Sequence, residues 1–148
     1  MKVADVGAGF GYFSFPTAEI VGEEGLVYAV EPDARRAREI SKKADERGVK
    51  NIRVLVTGAE DLGAIAAGEL DMAMSFSSFH HFVSQEKGLR EMRRVVRPGG
   101  LVYIRDMERG RILKHGSAPA EFRRLLLGEF PDAGIADADG SIVAKVKV

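Results

Sequence analysis

Residues 3–13, VADVGAGFGYF, constrain the fold of this chain more than any other segment. An apolar strand here runs directly into three glycines at alternate positions, Gly7, Gly9 and Gly11. Glycine tolerates positive φ and lets the backbone approach a ligand with no Cβ between them. We therefore predict a strand-to-helix turn that lies against a nucleotide. The turn alone leaves the ligand open, because dinucleotide and phosphate sites also use glycine-rich turns, each with its own spacing.

Later segments repeat the pattern of an apolar strand with a polar tip. LVYAV at 26–30 ends in Glu31, whose carboxylate at a strand tip can accept both hydroxyls of a ribose. LDMAMS at 70–75 is a further strand, and VVRPGGLVYIRD at 95–106 is interpreted as a helix end, a Pro-Gly-Gly turn and another strand. In order and spacing these segments resemble the class I S-adenosylmethionine-dependent methyltransferases, in particular their small-molecule branch, over roughly the whole chain.

Strands alternate with helices along the chain, which favours a parallel sheet covered on both faces. Asp139-Gly140 between two strand-like runs predicts a hairpin, and the resemblance implies the same antiparallel ending. We expect an α/β fold of the Rossmann-like, doubly wound type, with a mostly parallel seven-stranded sheet, a C-terminal antiparallel hairpin and three α/β/α layers. The predicted elements are strands at 2–6, 26–30, 52–56, 70–75 and 101–105, helices near 12–21, from the N-cap Asp33 to about Arg47, near 60–66 and near 84–96, and a helix capped by Ser117 that contains Phe122, Leu125 and Leu126.

Length and composition favour one domain over residues 1–148, because half of such a chain would bury too small a core. The charges of the 22 basic and 22 acidic side chains cancel, so the chain has no general electrostatic attraction to nucleic acid or to an anionic membrane. Without cysteine there is no disulfide, thiolate metal site or cysteine nucleophile. No apolar run approaches the length of a membrane span, and no leader precedes the first strand. We expect a soluble, cytoplasmic protein.

The resemblance implies that S-adenosylmethionine binds along the glycine turn and the neighbouring strand tips. Asp5 would orient its methionyl amino group through the loop or a water, and Glu31 would hold the ribose. An N-cap or a surface acid is the alternative interpretation of Glu31. The full set of expected cofactor-binding residues is Asp5, Gly7, Ala8, Gly9, Gly11, Glu31, Pro32, Ala59, Glu60, Ser75 and Phe76.

The sequence departs from the family pattern after the third strand. Members often have an acidic residue there that meets the adenine amino group, but this chain has Gly58 at that position. Ala59 or Glu60 would contact adenine, or Asp61 would take over. Glu60 and Asp61 also fit ordinary acids in the first turn of a helix.

His80 and His81 follow the fourth strand in SFSSFHHF, next to the expected methyl-transfer position. Imidazole titrates near neutral pH and can remove a proton from an oxygen, nitrogen or carbon acid, so both are candidates for a general base. The alternative is that they cap and orient the loop. The Asn-Pro-Pro-Tyr type motif of many amino-directed nucleic-acid methyltransferases is absent, which argues against DNA or RNA bases as substrates.

Asp106, at the tip of the strand 101–105, would face the other strand tips and could touch substrate or a cation. A magnesium site groups several oxygen ligands, and Asp106 has no obvious partner nearby in sequence, so we predict no metal. The next loop is basic, which fits either an anionic substrate or a solvated surface. Its basic residues are Arg105, Arg109, Arg111, Lys114 and His115.

Family members usually have a helical segment before the first strand that closes over the ligands, whereas this chain is in its strand at Lys2. An open site, a covering second subunit or an upstream segment would each account for this, and an uncovered pocket makes a homo-oligomer or bound partner plausible. We expect methyl transfer from S-adenosylmethionine to an oxygen, nitrogen or carbon nucleophile of a small molecule. The alternatives are a non-catalytic S-adenosylmethionine-binding module or partner subunit, and an NAD-dependent oxidoreductase, whose G-x-G-x-x-G differs from the G-x-G-x-G here.

Overall fold

The computed structural model describes residues 1–108 and 115–148. Arg109, Arg111 and Lys114 of the predicted basic loop lie outside the described residues. Within those residues the chain forms β1 (Lys2–Val6), α1 (Ser14–Val21), β2 (Leu26–Val30), α2 (Ala34–Arg47), β3 (Ile52–Leu55), β4 (Leu70–Phe76), a 3-10 helix (Phe79–His81), α3 (Gln85–Val95), β5 (Val96–Met107), α4 (Pro119–Glu129), β6 (Gly134–Ala138) and β7 (Ser141–Lys147).

The strands form one seven-stranded sheet in the order β3-β2-β1-β4-β5-β7-β6. β1 to β5 are parallel, and β7 runs antiparallel to both β5 and β6. The chain moves outward from β1 to β3 and then returns to place β4 on the other side of β1. This reversal creates a crevice at the carboxyl ends of β1 and β4, where open α/β sheets bind their ligands. The predicted fold class is confirmed.

The sheet is covered on both faces, as successive residues of β2 show. Tyr28 and Val30 belong to the larger core, together with the apolar faces of α3 and α4. Ala29, between them, packs into a second core with Phe15 of α1 and Ile40 of α2. Because alternate strand residues point to opposite faces, the two cores lie on opposite sides of the sheet and make three layers.

Local signals explain the helix bounds. Asp33 caps α2 by accepting from the backbone N–H groups of Arg35 and Arg36, and Gly48 ends it in the left-handed conformation. Pro16 lies in the first turn of α1, where it blocks no helical hydrogen bond. These bounds follow the predicted ones closely, except that α1 begins at Ser14 rather than near residue 12.

The helix predicted near 60–66 is wrong, because this segment forms turns. Side chains of α3 make hydrogen bonds with its backbone groups, in place of the bonds that a helix would make within itself. Glu91 Oε2 accepts from the N–H of Leu62 at 2.8 Å, and the Arg94 guanidinium donates to the carbonyls of Leu62 and Ile65 at 3.0 and 3.1 Å. Asp61 Oδ1 accepts from the N–H of Gly63 rather than starting a helix.

Two further predictions near the C-terminal half need correction. β5 begins at Val96 rather than at residue 101, and the Pro-Gly-Gly segment lies within this strand beside a register shift against β4. Ser117 does not cap α4, whose N-cap is Ala118, because the Ser117 hydroxyl donates to Asp106 Oδ2 at 2.6 Å. The predicted hairpin is confirmed, with Asp139 and Gly140 both at positive φ between β6 and β7.

Among the described residues, no helix has the length and apolar character that crossing a membrane requires.

Candidate functional site

A cleft of about 520 Å³ lies at the carboxyl ends of β1, β2 and β4. Its volume falls within the range of about 300 to 1,000 Å³ that is usual for small-molecule sites. Asp5, Gly11, Ser75 and His80 do not line it. The predicted residues that line it are Gly7, Ala8, Gly9, Glu31, Pro32, Ala59, Glu60, Phe76 and His81.

The three glycines of the turn all have positive φ but differ in their surroundings. A Cβ on Gly7 would lie 2.4 Å from Ser78 Oγ, and one on Gly11 would lie 2.8 Å from a ring carbon of Phe15. At Gly9, with φ of +58°, a Cβ would have no atom of the described residues within 4 Å. Gly7 and Gly11 therefore permit close packing within the protein, whereas Gly9 leaves the space of the cleft open.

Glu31 holds the glycine turn to the tip of β2. It is only 3% exposed, yet its carboxylate lines the cleft. Oε2 accepts from the N–H of Gly9 at 2.8 Å, and Oε1 accepts from the N–H of Asp33 at 3.0 Å. These two bonds fix the carboxylate while leaving each oxygen a further lone pair for a ligand hydroxyl.

Asp5 lies behind the glycine turn rather than on the cleft surface. It is 2% exposed, and the Ser14 hydroxyl donates to its Oδ2 at 2.6 Å. The pKa of Asp5 is raised to about 6, mainly because the group is buried; the hydrogen bond from Ser14 opposes this rise, and the negative charge of Glu31 adds to it. At neutral pH a buried carboxylate thus lies beneath the loop.

Ser75 is also buried behind the cleft wall. Its hydroxyl pairs with that of Ser78 at 2.7 Å, and Ser78 Oγ donates to the carbonyl of Val6 at the end of β1. Ser78 lines the cleft and packs against Gly7, so this pair links the tips of β1 and β4. Sequence reasoning missed Ser78, because its bond to Val6 and its packing against Gly7 depend on the neighbouring strand β1 and the turn after it.

Gly58 lies at the position where the family pattern led us to expect an acidic residue. A Cβ on Gly58 would lie 2.5 Å from Glu60 Oε2, so the missing side chain makes room for the carboxylate of Glu60. Glu60 Oε1 accepts from the N–H of Ser84 at 2.8 Å, which orients the group on the cleft wall. Asp61 does not line the cleft.

The two adjacent histidines have different surroundings. His80 is turned away from the cleft and bonded to Asp106 of β5, with its Nδ1 2.7 Å from Oδ1 and its backbone N–H 3.0 Å from Oδ2. His81 lines the cleft. Partial burial lowers the pKa of His81, and the neighbouring His80 and His115 lower it further. The His81 ring is therefore mostly neutral at pH 7 and has a free lone pair.

The mouth of the cleft is aromatic, which the sequence reasoning only partly anticipated. Phe13 stacks on the predicted Phe76, with ring centroids 4.1 Å apart, and Phe10 and Tyr12 lie on the same rim. All three rim aromatics are in or beside the glycine turn. Their position in this glycine-rich segment was the sequence feature that could have predicted them as part of the site.

A methyltransferase domain family model matches residues 4–104, about two thirds of the chain. The chain belongs to this family. Its members with this fold are the class I S-adenosylmethionine-dependent methyltransferases, and S-adenosylmethionine is their cofactor. The resemblance stated from the sequence is confirmed.

Named relatives and solved structures agree with this assignment. The chain is 38% identical over 73 residues to an aklanonic acid methyltransferase from Streptomyces sp. (strain C5), which covers 49% of this chain and 33% of that protein. It is 31% identical over 106 residues to a ubiquinone/menaquinone biosynthesis C-methyltransferase from Blochmanniella floridana, which covers 71% of this chain and 41% of that protein. The chain thus spans less than half the length of these curated relatives.

The same fold occurs in a SAM dependent methyltransferase from Aquifex aeolicus, with a TM-score of 0.82 at 23% identity, over 99% of this chain and 81% of that one. The PH0226 protein from Pyrococcus horikoshii OT3 gives a TM-score of 0.81 at 16% identity, over 99% and 82%. At these identities the likeness concerns the fold alone.

The cleft fits the family's cofactor. Its floor has open space at Gly9, its inner wall has the oriented carboxylate of Glu31, and its far wall has the carboxylate of Glu60. The two carboxylates can accept hydrogen bonds from hydroxyl and amino groups of a ligand. The glycine turn offers backbone that a flat ligand can approach closely.

Proposed function

We propose that this chain binds S-adenosylmethionine in the cleft and transfers its methyl group to an oxygen, nitrogen or carbon nucleophile of a small molecule. The observation that carries the proposal is the bond between Glu31 and the N–H of Gly9, which sets a fixed carboxylate beside an open glycine turn. The names of relatives support a small acceptor, since they specify aklanonic acid, ubiquinone or menaquinone biosynthesis, and arsenite.

In this proposal the predicted site residues bind different parts of the cofactor. Glu31 accepts from the ribose hydroxyls, Glu60 accepts from the adenine amino group, and the backbone of Gly7 to Gly9 lies along the methionyl part. Asp5 acts through the loop, because it does not reach the cleft surface. When bound, the cofactor supplies a methyl group already activated by the sulfonium, so the protein chiefly aligns the two reactants.

His81 is the proposed proton acceptor. It lines the cleft, and its lowered pKa keeps the ring neutral near pH 7, which is the form that can take a proton from the methyl acceptor. His80 has a positioning role, since Asp106 binds both its ring and its backbone and so holds the His80–His81 segment.

The open mouth of the cleft supports a covering partner, and we propose a second copy of the chain as its source. Tyr12 is 82% exposed and Val83 is 95% exposed, and both line the cleft. Apolar rims of this kind are commonly covered by a partner surface. Light scattering during size-exclusion chromatography tests this, and a monomer whose mass is unchanged on adding S-adenosylmethionine would contradict it.

Isothermal titration with S-adenosylmethionine, S-adenosylhomocysteine and NAD in parallel tests the binding site. We expect both adenosyl ligands to bind and NAD not to bind. Gly9→Leu should abolish binding, because its side chain would fill open space in the cleft. Gly48→Leu is the matched control, since Gly48 also has positive φ and an added Cβ there would meet no described atom within 4 Å, but it ends α2, outside the residues that line the cleft. Normal binding by the folded Gly9→Leu protein would contradict the assignment.

Turnover separates an enzyme from a binding module. S-Adenosylhomocysteine release is measured across a panel of small oxygen, nitrogen and carbon nucleophiles. His81→Ala should lose turnover with cofactor affinity intact, whereas His80→Ala should lose less and should retain the acidic limb of the pH–rate profile. Equal losses in both variants with unchanged profiles would favour a structural role for the pair. Binding without turnover on any acceptor would favour the module.

A further inference from the structure

All three histidines of the chain lie in one cluster at the edge of the cleft. His80 and His81 come from the 3-10 helix after β4, and His115 comes from the segment before α4. Their ring centroids are 4.0, 4.4 and 5.0 Å apart in pairs. One ring nitrogen from each lies within 4.8 Å of the others.

His80 already has a carboxylate partner of the kind that metal-binding histidines usually have. Metal-binding histidines usually donate their other ring N–H to a carboxylate, which fixes the tautomer. Here His80 Nδ1 lies 2.7 Å from Asp106 Oδ1, and Asp106 Oδ2 accepts from Ser117 Oγ at 2.6 Å. Asp106 is fully buried, so it holds the His80 ring in one orientation. The lone pair of a neutral His80 is therefore on Nε2, directed at His115.

The spacing of the nitrogens suits one small cation. His80 Nε2 and His115 Nε2 are 3.0 Å apart. Two nitrogens that bind the same tetrahedral zinc ion at about 2.0 to 2.1 Å lie roughly 3.3 Å apart. A widening of this separation by a few tenths of an ångström, together with rotation of the exposed His115 ring, would turn the present hydrogen bond into a pair of ligands. As the ion binds, the proton on His115 Nε2 would be exchanged through solvent for one on His115 Nδ1, so that a neutral His115 offers its Nε2 lone pair to the ion.

We propose that His80, His81 and His115 together bind one divalent transition-metal ion of the imidazole-preferring class, with Zn²⁺, Co²⁺ and Ni²⁺ as its representatives. Three protein ligands leave a fourth position open, as in catalytic rather than structural sites. Because His81 lines the cleft, the proposed site borders the cleft wall. This replaces the sequence-based expectation of no metal, which considered only oxygen ligands near Asp106.

The site does not depend on the proposed methyl transfer. In the metal-loaded protein the lone pair of His81 is used for the ion, so His81 accepts no proton in that state. In the metal-free protein His81 retains the role proposed above. Metal binding and cofactor binding can therefore be measured separately.

The test is titration of untagged, chelator-treated protein with Zn²⁺ by calorimetry and with Co²⁺ by visible absorption. We expect one ion per chain and a Co²⁺ spectrum of tetrahedral or five-coordinate type. His115→Ala should weaken binding at least 100-fold, and because His115 is exposed the variant should fold. Asp106→Asn should weaken it roughly 10- to 100-fold through the loss of the carboxylate partner of His80. Glu108→Gln, directly after the last residue of β5, is the control and should bind normally.

Two outcomes would overturn the proposal. One is Zn²⁺ binding of equal strength in the wild-type protein and His115→Ala. The other is the absence of saturable binding of Zn²⁺ and Co²⁺ by the wild-type protein. S-Adenosylmethionine affinity is measured in the same variants, and His115→Ala should keep it, because His115 does not line the cleft. A protein that binds S-adenosylmethionine but no metal would contradict this proposal and leave the proposed function intact. A protein that binds the metal but not S-adenosylmethionine would do the opposite.

Discussion

Asp5→Asn offers a direct test of the electrostatics beneath the glycine turn. The variant removes the ionisable group but keeps an oxygen that can accept from the Ser14 hydroxyl. Burial raises the pKa of Asp5 from its ordinary value of 3.8 to about 6 in the folded protein, which corresponds to roughly 3 kcal/mol. Because the folded state then binds more protons than the unfolded state, Asp5 costs stability progressively as the pH rises from about 4 to about 6.

Urea unfolding followed by far-UV circular dichroism at several pH values measures this cost. Between pH 4.5 and pH 7.5 the free energy of unfolding of the wild-type protein should fall by roughly 2 kcal/mol relative to that of Asp5→Asn. With a denaturant slope of about 2 kcal/mol/M, the midpoints should separate by about 1 M.

Asp132→Asn is the control for the loss of one negative charge, since Asp132 is exposed. Its unfolding free energy should follow that of the wild-type protein across the pH range. If the curves of Asp5→Asn and the wild-type protein run parallel, Asp5 does not titrate as its burial implies, and the reasoning fails.

Two further variants test the cleft. Glu31→Gln should weaken S-adenosylmethionine binding by about 1 to 3 kcal/mol in calorimetry, because a charged acceptor is lost, and an unchanged dissociation constant would place the ribose elsewhere. Gly7→Ala should lower the free energy of unfolding by about 2 to 4 kcal/mol in urea, because its Cβ would lie 2.4 Å from Ser78 Oγ. Gly140→Ala, at positive φ where the new Cβ would meet no described atom within 4 Å, should cost only about 1 kcal/mol, and equal losses would contradict the packing argument.

Elements defined by local signals were predictable from the sequence. α2 follows from its cap Asp33 and its terminator Gly48, and the C-terminal hairpin follows from the Asp139-Gly140 turn. Each signal acts within a few residues of the element that it sets. The predicted edge of the cleft followed in the same way, because parallel strand tips meet at one side of the sheet.

Features that depend on distant partners were not predictable. The segment after β3 has an acidic start typical of a helix, yet Glu91 and Arg94, about thirty residues away, take its backbone groups. The pairing of Asp106 with His80 depends on the register of β5 on β4, which sets Phe76 opposite Arg105 and so brings the residues that follow each strand together. A sequence pattern alone contains neither relation.

The departure at Gly58 leaves room for the side chain of Glu60 on the cleft wall. A Cβ at position 58 would lie 2.5 Å from Glu60 Oε2, so the carboxylate of Glu60 can keep its present place only beside a residue without a side chain. The N–H of Ser84, the N-cap of α3, holds the other oxygen of Glu60. A carboxylate thus reaches the cleft wall from two residues further along the chain, and α3 fixes it there. The polar group at this wall is therefore defined by its location at the tip of β3 and not by one sequence position.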